Sequence, residues 1–242
     1  MSDYITKIDD NLLSYFNADL VDYNVSQNDL TDNMIVYSNS VIPVPLKGAI
    51  GTKTIKLVLD FKSVGSKKSA KTISEFVNYL VVKNENHDFV ELYLRDGFYY
   101  TCCFKSADDP VEKAPWILQS TFTFVGFRHT NKIEQTFTSK SQGAFDNDYP
   151  HCDIETPIYI KVTPLKTVDS FTITVGGQAI TFSGISEYVE IDSLRATVTD
   201  KNGNAFGKCN MTAFPKYQGN SLVSWKSTVL CNVTMRIFPI VF

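Results

Sequence analysis

The stretch EYVEIDSLRATVTDKNGNAFGK, Glu187 to Lys208, decides how the chain is read. Val189 and Ile191 occupy one phase of a two-residue period, and Leu194, Ala196 and Val198 occupy the other. The chain must therefore bulge or turn near Asp192 and Ser193. Asn202–Gly203, a favoured dipeptide of tight hairpins, then reverses it. Two chemical readings compete with this one. Asp200, Asn202 and Asn204 have the spacing of oxygen ligands in a calcium loop, but that loop type needs Gly at its sixth position and Glu at its twelfth, which here are Ala205 and Met211. Glu190 and Asp192 share one strand face as a catalytic pair would, yet glycosidase-like chemistry draws its carboxylates from facing elements around a cleft. The expectation is two strands and their turns, with Asp192 fixing a turn rather than binding or reacting.

Outward from this stretch the same alternation recurs. Ile55, Leu57, Leu59 and Phe61 alternate with Lys56, Val58, Asp60 and Lys62. VELYLRDGFYYTCCF, from Val90 to Phe104, is two alternating runs about an Asp96–Gly97 turn. STFTFVGF, Ser120 to Phe127, continues the series, and SFTITVGGQAITF is a hairpin about Gly176–Gly177. In WKSTVLCNVTMRIFPIVF the residues Trp225, Val229, Cys231, Val233, Met235 and Ile237 share a face, which predicts one long, half-buried closing strand. A single segment has helical spacing: Ile73, Phe76, Val77 and Leu80 within Ala70–Val82, where Thr72 and Glu75 have the spacing of a capping box. The fold class expected is mainly β with one helix. The pattern lapses in the polar run from Thr136 to Thr156, so an N-terminal β domain is placed at residues 1–137, a linker at 138–156 and a small β-sandwich at 157–242.

Composition narrows the functional classes. At 242 residues, 43% of them hydrophobic and 20% charged, the chain has the make-up of a globular protein of one or two domains. A net charge of -3 with scattered Lys and Arg provides no footprint for nucleic acid. The dense basic run KKSAK, Lys67 to Lys71, reads as a solvated turn entering the helix. There is no apolar run of the roughly 18 residues that a membrane helix needs, and the acidic start MSDYITKIDDNLL is unlike a signal peptide. Membrane insertion is therefore not expected, and synthesis and assembly in a cytoplasm are. The Asn-X-Ser/Thr triplets at Asn24, Asn210 and Asn232 carry little meaning on that route.

Cys102, Cys103, Cys152, Cys209 and Cys231 lack metal or redox spacing and read as free thiols, with Cys102 and Cys103 on opposite strand faces. His87, His129 and His151 are not paired with a ligand on one element, although His151 adjoins Cys152. No catalytic, cofactor-binding or metal-ligating residues are assigned. Flat rings suit the apolar faces of sugars, which makes Tyr188, Tyr217 and Trp225 a candidate glycan-stacking set; the other reading of the same residues is core or interface.

TIKLVLDFKS, ISEFVNYL, VELYLRDGFYYTCCFKS and STFTFVGF, followed by ETPIYIKVTP, FTITVGGQAITF, YVEIDSLRATVTDKNGN and AFPKYQGNSLVSW, occur in an order that resembles the distal tail protein family of siphophages, often called Dit. The resemblance runs from about Thr52 to Phe242, and about the first 50 residues depart from the family's usual opening. It implies a structural virion component and not an enzyme, with an N-terminal domain that forms a hexameric ring and a C-terminal galectin-like sandwich outside it. The implied place is the tail tip, in the baseplate hub. The implied partners are further copies of the chain, a tail tube protein and a tail-associated or receptor-binding protein. A carbohydrate-binding module recognising host cell-surface glycan is the alternative.

Overall fold

The structure, a computed structural model, describes residues 6–26, 34–35, 44–45, 52–64, 68–145, 156–185, 187–217 and 223–240. It divides into two units, residues 1–129 with 242, and residues 130–241. It is mostly β, with one α-helix, two large curled antiparallel sheets and a separate two-stranded pair among the described residues.

The first unit runs β1 (Lys7–Ile8), β2 (Asn11–Leu12), a 3-10 helix (Leu13–Phe16), β3 (Ala18–Val25), a small pair of β4 (Met34–Ile35) and β5 (Val44–Pro45), then β6 (Lys53–Lys62), α1 (Ser69–Glu85), β7 (Val90–Tyr93), β8 (Tyr99–Ala107), β9 (Val111–Ala114) and β10 (Ile117–His129). Its sheet is ordered β2-β1-β7-β8-β10-β6-β3, with β9 alongside the start of β10. The alternation of β6 is realised in full: Ile55, Leu57, Leu59 and Phe61 are completely buried. The helix lies on this face against β6, β8 and β10. Its Phe76 sits 4.9 Å from Phe122, 5.0 Å from Phe16 and 5.5 Å from Phe61, between ring centroids, and such pairs add about 0.5–1.5 kcal/mol each beyond simple burial. The β7–β8 hairpin forms as expected, with Val90 opposite Cys102 and Tyr93 opposite Tyr99. Cys102 is buried and Cys103 exposed.

The helix begins one residue earlier and ends three later than its periodicity predicted, and the capping box at Thr72 is not formed. Lys68 is the N-cap and makes no side-chain cap bond. Thr72 lies buried one turn inside, its hydroxyl donating to the Lys68 carbonyl at 3.4 Å. The cap comes from outside the helix: Ser63, just past β6, accepts the Ser69 N–H on its Oγ at 3.0 Å. A cap delivered from six residues upstream has no local spacing signature.

The second unit comprises β11 (Ile133–Ala144), β12 (Thr156–Pro164), β13 (Ser170–Val175), β14 (Gln178–Ser183), β15 (Val189–Asp192), β16 (Thr197–Asp200), β17 (Gly203–Asn204), β18 (Lys216–Tyr217) and β19 (Ser224–Ile237). The path is β14-β13-β19-β12-β15-β16-β17, with β11 on β19 and β18 on β12. The closing strand β19 organises the unit. One edge pairs with β11, while the other pairs with β13 at Trp225–Ser227 and with β12 at Cys231–Ile237, so two branches diverge from one strand and the sheet curls into a sandwich-like body. Its inward face is the one the sequence predicted: Trp225, Cys231, Val233, Met235 and Ile237 are buried. At the β13–β14 turn, Gly176 and Gly177 both have positive φ, +56° and +83°, as a two-residue type I′ hairpin requires.

The expected linker at 138–156 is wrong in its first half. Residues 138–144 belong to β11 and pair with β19, and the chain passes between units at His129–Thr130. The ladder shifts register on both sides of Lys140, and Ser139 adopts a φ of +54° while its N–H is held by Asn232 Oδ1 at 2.9 Å. A largely exposed, bulged strand shows no two-residue period, so its sequence looks like a loop. Residues 146–155, with His151 and Cys152, lie outside the described residues.

Candidate functional site

Glu187 to Lys208 folds as β15, a turn, β16 and β17. Ile191 pairs with Val198 and Glu190 with Thr199. The phase switch read from the sequence is the turn at residues 193–196, and Asp192 closes it. Its Oδ1 accepts from the N–H groups of Leu194 at 3.0 Å and Arg195 at 3.1 Å, and its Oδ2 meets the Arg195 guanidinium at 3.1 Å. Both oxygens are engaged in holding backbone and its neighbour. Glu190 is likewise committed, to Lys161 on β12 at 2.7 Å.

Two of the three side chains considered for calcium, Asp200 and Asn204, are used inside the loop. Asp200, with 1% of its side chain exposed, pairs with Lys208 at 2.6 Å and accepts the Asn202 N–H at 2.8 Å. Asn204 accepts the Phe206 N–H at 2.9 Å. The reversal falls one residue earlier than Asn202–Gly203 suggests: Asp200 pairs with Gly203, and Lys201–Asn202 form the turn. Gly203 follows it with a φ of +107°, outside the range favoured by other residues. Among the described residues no group of three or more His, Cys, Asp and Glu is arranged to hold a metal ion.

The three candidate stacking rings do not form a platform. Trp225 is 2% exposed and packs edge-on against Phe137 at 5.5 Å; Tyr217 is 4% exposed. Both are core, because odd positions of β19 face inward and β18 is pressed against β12. Tyr188 is half-buried, and Lys161 Nζ lies 4.1 Å from its ring centroid, where a sugar would have to stack.

What the fold does assemble around Tyr188 is a ladder of alternating rings and charges on the solvent face of the sheet. Lys161 joins Tyr188 to Glu190, Glu190 hydrogen-bonds Tyr159, the guanidinium of Arg236 lies 5.0 Å from the Tyr159 ring, and Arg236 Nε donates to Glu134 at 2.6 Å. Burial, then the negative charge of Glu190, pushes the Tyr159 hydroxyl up to about 12 from its usual 10. Four strands, β15, β12, β19 and β11, contribute to this face. Sequence reading named Tyr188, Glu190 and Asp192 but missed Tyr159, Lys161, Arg236 and Glu134, since only cross-strand register places them together.

Of the histidines, His87 is exposed in the turn after α1, while His129 is 1% exposed and lies 3.0 Å from Thr101 Oγ1 through Nε2. Burial raises the pKa of the thiol of Cys102 well above its ordinary value, and lesser burial raises those of Cys103 and Cys231, so none of the three is activated as a nucleophile.

By sequence the chain matches no protein-family model and no curated protein. By structure it is similar to the Dit protein of phage SPP1, described as a paradigm of the hub adsorption apparatus in phages that infect Gram-positive hosts. The identity is 9% and the TM-score 0.61, with 96% of this chain and 97% of that one covered. It is also similar to a chain of the phage P2 baseplate in its activated conformation with Ca, at 13% identity and a TM-score of 0.62, with the same coverage. The corresponding match in the p2 baseplate with Sr has 14% identity and a TM-score of 0.60. At such identities the likeness is one of fold, and it spans both units.

Proposed function

We propose that the chain is a distal tail protein, a structural subunit of a phage baseplate hub that links the tail tube to the host-adhesion device. The observation that carries this reading is the end-to-end likeness to the SPP1 Dit protein, 96% of one chain on 97% of the other. A shared sandwich alone would say little, because such folds host many functions. Two dissimilar β units joined in the same order leave far fewer alternatives. In this reading the first unit builds a ring of identical copies, a hexamer, and the second lies outside it. The partners are a tail tube protein and a tail-associated or receptor-binding protein, and the working location is the tip of a virion tail. The role is non-enzymatic. The inward burial of Trp225 and Tyr217 and the lysine over Tyr188 weigh against glycan binding through those rings.

Mass photometry and negative-stain electron microscopy of the purified chain test the assembly. A closed ring of copies is expected at micromolar concentration, alone or once the tail tube protein is added. A species that stays monomeric under both conditions would rule the hub role out.

A further inference from the structure

In the first unit, the 3-10 helix Leu13–Phe16 and the N-terminal turns of α1 border an open cleft of about 400 Å³. That volume falls in the range of small ligand pockets, about 300–1,000 Å³. Its base is apolar: Phe16 and Phe76 are both buried, with ring centroids 5.0 Å apart. Tyr15 and Tyr79 line it as well, and each packs against Phe16, at 5.1 Å and 5.3 Å. Tyr15 is 72% exposed, more than any other large hydrophobic side chain among the described residues.

The helical wall of the cleft is polar and of one sign. Thr72, Glu75 and Tyr79 are three and four positions apart, so they stand on one side of α1. Glu75, an exposed residue, is the one carboxylate among the described residues that line the cleft, and no Lys, Arg or His lines it. Lys83, one turn beyond Tyr79, is drawn instead to Asp9 at 3.1 Å, and Asp9 also accepts the Tyr79 hydroxyl. The Lys83 ammonium lies 5.7 Å from the Tyr79 ring centroid. Tyr79 thus already serves one cation, which leaves Tyr15 as the ring for another.

Exposed ring surface beside a carboxylate, with no cation lining the cleft, is complementary to a ligand that is positively charged, flat and weakly hydrated. An arginine side chain meets each requirement: its guanidinium stacks on aromatic faces and offers a carboxylate two parallel N–H donors. We propose that this cleft receives an arginine of a partner protein, its guanidinium stacked on Tyr15 and paired with Glu75. The inference rests on the cleft alone and stands independently of the hub role.

A saturation-transfer NMR titration of the full chain with N-acetyl-arginine methylamide tests it. The lysine counterpart supplies a cation without the plane, and the citrulline counterpart the plane without the charge. The arginine probe should bind saturably, with a Kd on the order of 1 mM for so small a molecule, and more tightly than either control. Tyr15→Ala and Glu75→Gln change exposed residues, so both variants should keep their far-ultraviolet β spectrum. Each should weaken binding about two- to fivefold, the factor of an exposed cation–π contact or surface ion pair. Added salt should weaken binding to the unaltered chain and have little effect on Glu75→Gln. Absence of saturable binding, equal binding of citrulline, a preference for lysine, or unchanged affinity in either folded variant would each overturn the site.

Discussion

Asp192 holds two consecutive N–H groups at the point where the inward phase changes from Val189 and Ile191 to Val198. A carboxylate engaged this way is a turn-fixing group. Asp192→Ala should lower stability by about 1–3 kcal/mol through the loss of charged hydrogen bonds. Asp192→Asn keeps an acceptor for both N–H groups and loses only the pairing with a partly exposed Arg195, so its cost should be under about 1 kcal/mol. Urea denaturation measures both, and an Asn variant as damaged as the Ala variant would show that the charge matters and not the turn. Neighbouring letters alone suggested this role, because an Asp that binds the backbone two and three residues on needs no distant partner. Trp225 and Tyr217 are the opposite case: whether a ring is core or surface depends on what the opposing strand presents.

At the level of elements, the runs legible in the sequence are those with one face buried. β6 and β19 keep a two-residue period along their length because each inward position meets apolar neighbours. The middle of α1 was equally legible; its start was not. Ser63→Ala should destabilise the chain by about 1 kcal/mol by leaving the Ser69 N–H without its acceptor, and urea denaturation would again report it. No change in stability would mean that water replaces the hydroxyl at no cost. The polar ladder from Tyr188 to Glu134 was illegible for a related reason: its members are up to 102 positions apart in the chain and meet only through strand register.

At the scale of the molecule there are two separate cores, one built around Phe76 and the other around β19. Every residue of the second core cluster lies between Ile133 and Ile237. A fragment of residues 130–242 should therefore unfold cooperatively by itself in calorimetry, and a fragment without a transition would show that the second unit depends on the first. By itself the sequence determined the class, mainly β with one helix, the turns at Asp96–Gly97 and Gly176–Gly177, and the inward faces of β6 and β19. Those features follow from backbone sterics and from an alternation each strand carries within itself. Only the tertiary structure decided that residues 138–144 are strand, that Ser63 caps the helix, and that two of three candidate rings are core. Each of these depends on groups brought together from distant positions, and a local pattern contains no record of the partner.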